Sequence, residues 1–327
     1  MKLLTTTAML AALTAWSGSA SAACDRMEKV SAVWLPIMQT TAYYVALEEK
    51  LFEKACIDIV SNKLEAPNQI IDALVGARAD FGPPGAAAGI AMLAESKFPG
   101  TFKVFGLQGG GIKVGLINDG LIVKPDSDIK SFADLKGKKL GHVPGIQWRT
   151  ISRYMVRAAG LDPDKDVTLL DLAVGMQVPA VVGGSVDATL SLEPVGSVAS
   201  GQAKRAMTNP VAQVIADPFY SGVSLLTVKF LKERPQVARK VVEVIDEATK
   251  LANADFDKYK PIIPKYTPMR AEQLDLLAKP YLRRFGDLND TDLNSYQALV
   301  DVFQKEGVLQ SPIAVRDKIL KTTDFGS

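Results

Sequence analysis

The sequence predicts an α/β protein made of two successive series of strands and helices. Strand-like apolar runs alternate with helical patterns along the chain, which is typical of parallel βαβ units. Glycines 109–111 and the apolar stretch 116–123 interrupt this alternation, and a second series follows them. The chain has 327 residues, too many for one ordinary core and enough for two domains of roughly 150 residues each.

The first series opens with an apolar strand that Pro36 ends. A helix follows in which Tyr44, Leu47 and Leu51 share one face. The predicted strands are Lys29–Leu35, Ile57–Val60 and Phe102–Leu107, and further helices are expected at Asn68–Val75 and Ala86–Ala94. We expect Pro83, Pro84 and Gly85 to form a turn before the last of these helices.

The second series begins with a short helix that Ser131 can cap, with Asp134 three residues later. Strands are predicted at Lys138–Gly141, Val167–Leu170 and Ala188–Leu192, with helices at Phe132–Lys136, Gln147–Ala159 and after Pro179. A strand at Ser224–Val228 then leads into a long helix that starts near Pro235. A last amphipathic helix ends at Gly307.

The composition excludes several function classes. Lys and Arg (38) nearly balance Asp and Glu (36), so no charge excess points to nucleic acid or to an anionic membrane. One histidine and two cysteines rule out a His-rich or zinc-finger metal site. A Ser-His-Asp or Cys-His centre would have to converge on His142, for which a structural role is the simpler interpretation. We therefore expect no enzyme, no metal and no cofactor.

Residues 1–22 have the pattern of a secretory signal peptide. Lys2 precedes an apolar run, and small residues lead to Ala20-Ser21-Ala22, which fits an A-x-A cleavage site. A membrane anchor is the alternative, but the apolar run is short and begins among three threonines. The pattern predicts that the mature chain is exported.

Cys24 and Cys56 are the two cysteines of the chain. Export to an oxidising compartment favours a disulfide between them. A lipid anchor on Cys24 is a second possibility, although Ser21-Ala22-Ala23 lacks the large aliphatic residue of a lipobox. Two unpaired thiols are the third possibility.

Two segments that follow predicted strands could face a small ligand. They are 84–88, a run of small residues at a helix start, and 144–148, which contains Gln147 and Trp148. Helix starts offer backbone N–H groups to anions, and open α/β sheets bind ligands at the carboxyl ends of their strands. Ordinary strand–helix turns would explain both segments equally well.

Other candidates each have a simpler structural interpretation. Arg149, Arg153 and Arg157 share one helix face, which is typical of a solvated stripe, although Arg149 could reach an anionic ligand. Trp34 could pack in the core or line a cleft at a strand end. Glu193, before Pro194, is either a structural feature of a domain edge or a polar ligand contact.

Blocks along the mature chain resemble the periplasmic solute-binding proteins of ABC importers in the nitrate/sulfonate/taurine and thiamine-pyrimidine group. The blocks are 43–56 (YYVALEEKLFEKAC), 73–82 (ALVGARADFG), 120–145 (GLIVKPDSDIKSFADLKGKKLGHVPG), 159–163 (AGLDP), 179–188 (PAVVGGSVDA) and the pair Glu193-Pro194. Their order makes the resemblance specific to the group, and it does not identify the ligand. Ala55-Cys56 replaces a glycine that the group usually has, which fits a disulfide.

The resemblance implies a type II periplasmic-binding-protein fold, with two α/β lobes, a hinge of two crossovers and a ligand cleft between the lobes. The implied division is 23–115 with 223–327 for lobe 1 and 116–222 for lobe 2. The implied cleft residues are Trp34, Pro36, Gln39 and Thr40; Gly85, Ala86 and Ala87; Gly145, Ile146, Gln147, Trp148 and Arg149; with Glu193, Tyr220 and Ser221 as further candidates.

The function that the resemblance implies is capture of a small organic solute by hinge closure and its delivery to an ABC permease, by a monomer. The expected solute is anionic, a sulfonate, a carboxylate or similar. Ile146-Gln147-Trp148-Arg149 stands where the group often has Ser or Thr, which suggests a larger, aromatic or carboxylated ligand. The alternative is a thiamine-pyrimidine precursor binding or synthesis protein. A related synthetic enzyme consumes its own histidine, and here only His142 could serve.

Overall fold

The computed structural model describes residues 24–199, 201–267 and 269–326. The predicted signal peptide, residues 1–22, lies outside these ranges. The described chain forms two mixed sheets with helices packed on them, one of six strands and one of five. The α/β class predicted from the sequence is therefore what the structure shows.

The strands are β1 Glu28–Trp34, β2 Ile57–Lys63, β3 Phe81–Ala87, β4 Phe102–Gly110, β5 Asp119–Val123, β6 Lys138–His142, β7 Val167–Asp171, β8 Ala188–Leu192, β9 Lys204–Thr208, β10 Phe219–Thr227 and β11 Tyr281–Arg283. The helices are α1 Thr41–Glu48, α2 Leu51–Lys54, α3 Pro67–Val75, α4 Ala88–Lys97, α5 Ile146–Ala158, α6 Gln177–Val182, α7 Val195–Val198, α8 Pro210–Val214, α9 Val228–Glu233, α10 Pro235–Ala254, α11 Phe256–Tyr259, α12 Ile263–Tyr266 and α13 Asp290–Lys305. Short 3₁₀ helices lie at Met38–Thr40, Phe132–Leu135, Val174–Met176, Lys260–Ile262, Ala271–Leu276, Phe285–Asp287, Val315–Lys318 and Thr322–Phe325.

The six-stranded sheet has the order β11-β4-β10-β3-β1-β2, and the five-stranded sheet has the order β7-β6-β8-β5-β9. The pairs β1–β2, β1–β3, β6–β7 and β6–β8 are parallel, as βαβ units require. The strands β10 and β5 run antiparallel to their neighbours. The predicted parallel βαβ units are therefore present, and the antiparallel strands β5 and β10, next to the two crossings, were not predicted.

The predicted turn at Pro83-Pro84-Gly85 is wrong, because these residues continue strand β3. The pairing with β10 shifts between Val223 and Leu225, opposite the two prolines. Proline has no N–H to give to a ladder, so it is tolerated where pairing is irregular. The helix that follows accordingly starts at Ala88, two residues later than predicted.

The chain crosses between the sheets twice, at residues 111–118 and 209–218. Asn209 ties the two crossings together, since its Oδ1 accepts from the backbone N–H of Asn118 at 2.8 Å and its Nδ2 donates to the carbonyl of Leu116 at 3.0 Å. The division into lobes at 115/116 and 222/223 stays a prediction, and position 222/223 falls inside strand β10.

Apolar side chains fill both faces of the six-stranded sheet. On one face α1 packs against α10, with Tyr43, Tyr44 and Val241 buried between them. On the other face α3, α4 and α13 cover the sheet, and their core continues into the five-stranded sheet through Trp148 and Ile151 of α5. Burial of this apolar surface is the main stabilising contribution to the fold.

The disulfide between Cys24 and Cys56 is confirmed, with a Cα–Cα distance of 5.5 Å. It attaches the start of the described chain to the residue before β2. The strand β1 begins four residues after Cys24, so the bond fixes the beginning of the six-stranded sheet. In the described ranges no helix is long and apolar enough to cross a membrane.

Candidate functional site

A cavity of about 290 Å³ lies between the two sheets. Loops and helix starts at the carboxyl ends of β1, β2, β6, β7 and β8 line it, where open α/β sheets bind ligands. Its lining residues are Leu35, Pro36, Ile37, Gln39, Glu65, Ala66, Pro67, Gly85, Ala87, Val143, Pro144, Gln147, Trp148, Ala173, Val174, Gly175, Leu192, Glu193 and Ser221. Both sheets therefore contribute to one site, which we call the first cavity.

Several residues that the sequence analysis selected line this cavity. They are Pro36, Gln39, Gly85, Ala87, Gln147, Trp148, Glu193 and Ser221. The six-stranded sheet and its helices supply the first four and Ser221, and the five-stranded sheet supplies Gln147, Trp148 and Glu193. The fold brings residues 36 and 221 to the same site although they are far apart in the sequence.

Gln39 is buried at the point where the first crossing meets the cavity. Its Nε2 donates to Oγ of Ser221 at 2.8 Å and to Oδ1 of Asn118 at 3.0 Å. These bonds connect the loop after β1, strand β10 and the start of β5. A carboxamide held this way is fixed in one orientation at the cavity wall.

Gln147 is also buried, at the start of helix α5. Its Oε1 accepts from the backbone N–H of Gly89 at 2.7 Å, and its Nε2 donates to the carbonyl of Ser221 at 2.9 Å. The sequence placed Gln147 in a segment that could face a ligand. In the structure its carboxamide joins α5 to α4 and to β10, and the residue also lines the cavity.

Glu193 follows β8 and is 8% exposed. Its Oε1 forms an ion pair with Arg205, and its Oε2 accepts from the backbone N–H of Ser197 at 3.2 Å. Burial raises the pKa of Glu193, and Arg205 opposes that rise. The sequence left open a structural role or a ligand contact, and the position at the cavity allows both.

The buried carboxyl of Asp119, at the start of β5, lies close to this pair. Its oxygens accept from Nδ2 of Asn118 at 2.9 Å and from the backbone N–H of Val211 at 3.1 Å. Burial raises the pKa of Asp119 to about 6, with the negative charge of Glu193 adding to the rise. Two carboxyls and one guanidinium thus lie close together near the first crossing, and of the three residues only Glu193 lines the cavity.

The charged residues among those that line the cavity are Glu65 and Glu193, and none of the lining residues given above is Lys, Arg or His. Glu193 is ion-paired with Arg205, and the exposed side chain of Glu65 lies 3.8 Å from Nζ of Lys63. The backbone N–H of Gly85, which the sequence offered to an anion, donates to Oε1 of Gln108 at 3.0 Å. The electrostatic character of the lining therefore does not favour a negatively charged group.

Other predicted site residues lie away from the lining. Trp34 is in the core, where it packs against Tyr44 and Tyr266 and donates from Nε1 to Oγ of Ser61 at 2.8 Å. Tyr220 points to the opposite side of β10 from Ser221 and donates to Oδ1 of Asp292 at 2.5 Å. Both residues serve packing, which was the simpler interpretation for Trp34.

The remaining predicted residues are buried next to lining residues or lie outside the cavity. Thr40 is buried and donates to the carbonyl of Leu35 at 2.9 Å. Ala86 is buried in strand β3, next to two lining residues. Gly145, with φ +104°, is the residue before helix α5, and Ile146 and Arg149 are exposed in the first turn of that helix.

The arginines of α5 are not among the residues that line the first cavity, and two of them form ion pairs. Nη1 of Arg153 pairs with Asp164, in the loop after α5, at 2.6 Å, and Nε of Arg157 pairs with Glu306 at 3.0 Å. Glu306, whose side chain is 2% exposed, follows α13 on the six-stranded sheet. The Arg157–Glu306 pair therefore joins helices of the two sheets, while Arg149 is exposed, as a solvated stripe predicts.

His142 is fully buried at the end of β6 and does not line the cavity. Its Nδ1 lies 2.9 Å from the carbonyl of Val143, and Oδ1 of Asp171 is 3.4 Å away. Burial lowers the pKa of His142, so the neutral imidazole is favoured. The structural role expected for it fits these contacts.

The sequence analysis missed part of the lining, chiefly Glu65–Pro67 and Ala173–Gly175. Both segments directly follow parallel strands, β2 and β7. Open α/β sheets bind ligands at the carboxyl ends of their strands, and this rule, which selected 84–88 and 144–148, also selects these two segments. In the described ranges, no group of three or more His, Cys, Asp or Glu residues could hold a metal ion.

Comparisons with known proteins agree with this architecture. The family model described as NMT1/THI5 like matches residues 116–258. A protein of Brucella abortus, named as a candidate binding protein, is 24% identical over 288 residues, which is 86% of each chain. The periplasmic aliphatic sulphonate binding protein SsuA of Escherichia coli superposes with a TM-score of 0.72 at 18% identity, over 90% of this chain and 92% of its own.

An enzyme shares the same fold. The desulfurization enzyme DSZB has a TM-score of 0.69 at 15% identity, over 91% of this chain and 97% of its own. These likenesses confirm the resemblance and the type II periplasmic-binding fold that the sequence implied. At this level of identity they establish the fold and leave the ligand to the chemistry of the cavity.

Proposed function

We propose that this protein is the periplasmic solute-binding component of an ABC importer, which captures a small organic solute and delivers it to the permease. The observation that carries the proposal is the first cavity, which two separate sheets enclose at the carboxyl ends of their strands. The cavity lies where the two crossings join the sheets. A ligand bound there would stabilise a closed arrangement of the two sheets if it bound that arrangement more tightly than the open one. We propose a monomer, with lobes near 23–115 plus 223–327 and 116–222.

The charge of the lining refines the solute class. The sequence suggested an anion, yet the charged residues among the described lining are Glu65 and Glu193, and no Lys, Arg or His is among them. A neutral or cationic polar group therefore fits the wall better, with Glu193 accepting its hydrogen bond. Trp148 and Leu192 would contact the apolar atoms of the same solute.

The alternative is a protein that binds or makes a thiamine-pyrimidine precursor. The NMT1/THI5 like match favours a pyrimidine, and the fold of DSZB shows that this architecture also serves an enzyme. The burial of His142 outside the lining argues against synthesis at the expense of a histidine. An aminopyrimidine belongs to the test because a ring nitrogen or amino group could meet Glu193.

The test is a thermal-shift and calorimetric screen of residues 23–327 with five probes of similar size: butylamine, butanol, butanoate, butanesulfonate and an aminopyrimidine. A ligand at about 100 times its Kd stabilises the folded state by about 2.7 kcal/mol. We expect butylamine or the aminopyrimidine to bind more tightly than the two anions. Tight binding of butanesulfonate or butanoate would restore the anionic class, and no shift with any probe would count against solute capture.

Glu193→Gln tests the role of the buried carboxylate. It leaves the guanidinium of Arg205 without its ion pair, so we expect weaker butylamine binding and stronger butanesulfonate binding. Glu53→Gln is the matched control, since Glu53 is exposed on α2 and outside the lining. Equal effects of the two substitutions on the probes would show that Glu193 does not select the charge of the ligand.

A further inference from the structure

A second cavity of about 360 Å³ adjoins the first and shares Pro36, Ile37, Val174 and Gly175 with it. Pro36 and Ile37 follow β1 of the six-stranded sheet, and Val174 and Gly175 follow β7 of the five-stranded sheet. The four residues thus form a neck between the cavities, with each sheet providing one side. The space beyond the neck belongs to neither the polar site nor the core.

Apolar side chains form most of the wall of the second cavity, as they do in the first cavity. Met38, Val178, Val195, Val198 and Met269 contribute to it, from both sides of the junction. Val178 is half-buried on α6, so its side chain still presents surface to the cavity. A bound apolar group that covers this surface would stabilise the complex in proportion to the apolar area removed from water.

The polar lining residues of the second cavity are Gln202, Thr267, Arg270 and Gln273. The hydroxyl of Thr267 donates to the carbonyl of Ile263 at 2.9 Å, and Oε1 of Gln273 accepts from the backbone N–H of Arg270 at 3.1 Å. Gln202 and Arg270 are exposed. None of the four is a buried carboxylate or carboxamide, whereas the first cavity has the buried side chains of Gln39, Gln147 and Glu193.

Each cavity by itself is near the lower limit of about 300 Å³ for ligand pockets. We infer that the ligand is an elongated amphipathic molecule, with its polar head in the first cavity and an apolar tail that passes the neck into the second cavity. This inference rests on the proposed solute-binding function. It assigns the tail to a chain of methylene groups or a flat hydrocarbon, because Pro36, Ile37, Val174 and Gly175, which form the neck, have no hydrogen-bonding side chains.

The experiment is calorimetric titration with unbranched alkylamines from ethylamine to decylamine, repeated with the corresponding alkanols, carboxylates and sulfonates. Each methylene that leaves water in the second cavity should tighten binding by about fourfold. The gain in affinity for each added methylene should begin only when the alkyl chain is long enough to pass the neck. It should stop when the second cavity is full.

Val178→Phe fills part of the second cavity without entering the first. We expect it to remove the gain of the long chains and to leave the affinity of the shortest binding probe unchanged. Val182→Phe is the matched control, because Val182 lies on the same helix, is 45% exposed and lines neither cavity. Both variants should unfold at the same temperature if the substitution at Val178 does not disturb the fold.

The outcomes separate this inference from the function beneath it. Binding of short probes with no gain on lengthening would overturn the tail site and leave solute capture standing, with the second cavity assigned to another occupant. A Val178→Phe effect equal on short and long chains would likewise overturn it. No binding by any head group at any length would overturn both.

Discussion

The side chain of Gln147 is hydrogen-bonded to the backbone of Ser221, with Nε2 donating to the carbonyl oxygen at 2.9 Å. Gln147 belongs to α5 of the five-stranded sheet, and Ser221 belongs to β10 of the six-stranded sheet. Oε1 of the same carboxamide accepts from the backbone N–H of Gly89, in helix α4, which packs on the six-stranded sheet that contains Ser221. One buried amide thus spans the junction that encloses the first cavity.

Gln147→Leu should destabilise the protein by about 1–3 kcal/mol for each buried backbone group left without a partner. The leucine keeps the apolar contact with the cavity but cannot pair with Gly89 or Ser221. Urea unfolding monitored by circular dichroism measures the change. Arg149→Ala, an exposed position two residues along α5, should change the stability by no more than about 0.5 kcal/mol. Equal stabilities of the two variants would show that the amide does not hold the sheets together.

The sequence could predict the parallel strands and their helices because the hydrophobic pattern that forms them is local. It could also locate much of the cavity, since Pro36, Gly85 and Gln147 follow strands whose carboxyl ends meet. Trp34 and Tyr220 were selected by position in the chain, and whether such rings face a cleft or a core depends on packing partners that no local pattern contains. Trp34 contacts Tyr266, far away in the sequence.

The interactions between the sheets could not be predicted in the same way. The arginines of α5 form a regular stripe, yet their partner Glu306 lies about 150 residues later and nothing around it indicates the pairing. The position of the antiparallel strand β10 between β3 and β4 could not be predicted either, because both neighbouring strands lie more than 100 residues earlier in the sequence. Its pairing with distant segments also allowed the two prolines of β3 to remain in a strand.

Reduction of the Cys24–Cys56 disulfide should lower the free energy of unfolding by about 3–4 kcal/mol. The bond joins residues 32 positions apart, and without it the unfolded chain gains the conformational entropy of that loop. Unfolding with and without dithiothreitol measures the change. The double variant Cys24→Ser with Cys56→Ser should match the reduced protein and be insensitive to the reductant. Equal stability of all three forms would show that the bond does not constrain the unfolded chain.

Gly85→Ala should destabilise the fold by about 1–3 kcal/mol and weaken ligand binding. Gly85 has φ +105°, and a Cβ there would lie 2.7 Å from Oγ1 of Thr40, which would have to move. Gly100→Ala is the matched control, since Gly100 has φ +78° and nothing lies within 4 Å of its Cβ position. We expect the control to show backbone strain alone, of about 1 kcal/mol, with ligand affinity unchanged. A Gly85→Ala protein no less stable than the control would show that the contact with Thr40 relaxes without cost.

The carboxyl of Asp119 should make stability depend on pH. Burial raises its pKa to about 6 from an ordinary value of 3.8, so the folded state holds a proton that the unfolded state releases between these values. The stability contribution of this carboxyl is therefore fully present below about pH 3.8 and is lost as the pH rises through 6. Relative to Asp119→Asn, the wild-type protein should lose up to about 1.4 kcal/mol per pH unit in that window.

Urea unfolding of both proteins at half-unit steps from pH 2.5 to 7.5 measures this difference. A constant cost of the substitution does not change how the difference varies with pH. Asp134→Asn provides a comparison of opposite sign. Backbone N–H groups of Lys130 and Ser131 lower the pKa of that exposed carboxyl, so the wild-type protein should gain stability over this variant as the pH rises from below the ordinary value. If the wild-type and Asp119→Asn curves ran parallel throughout, the carboxyl near the first crossing would titrate alike in the folded and unfolded states, and its burial would have no electrostatic consequence.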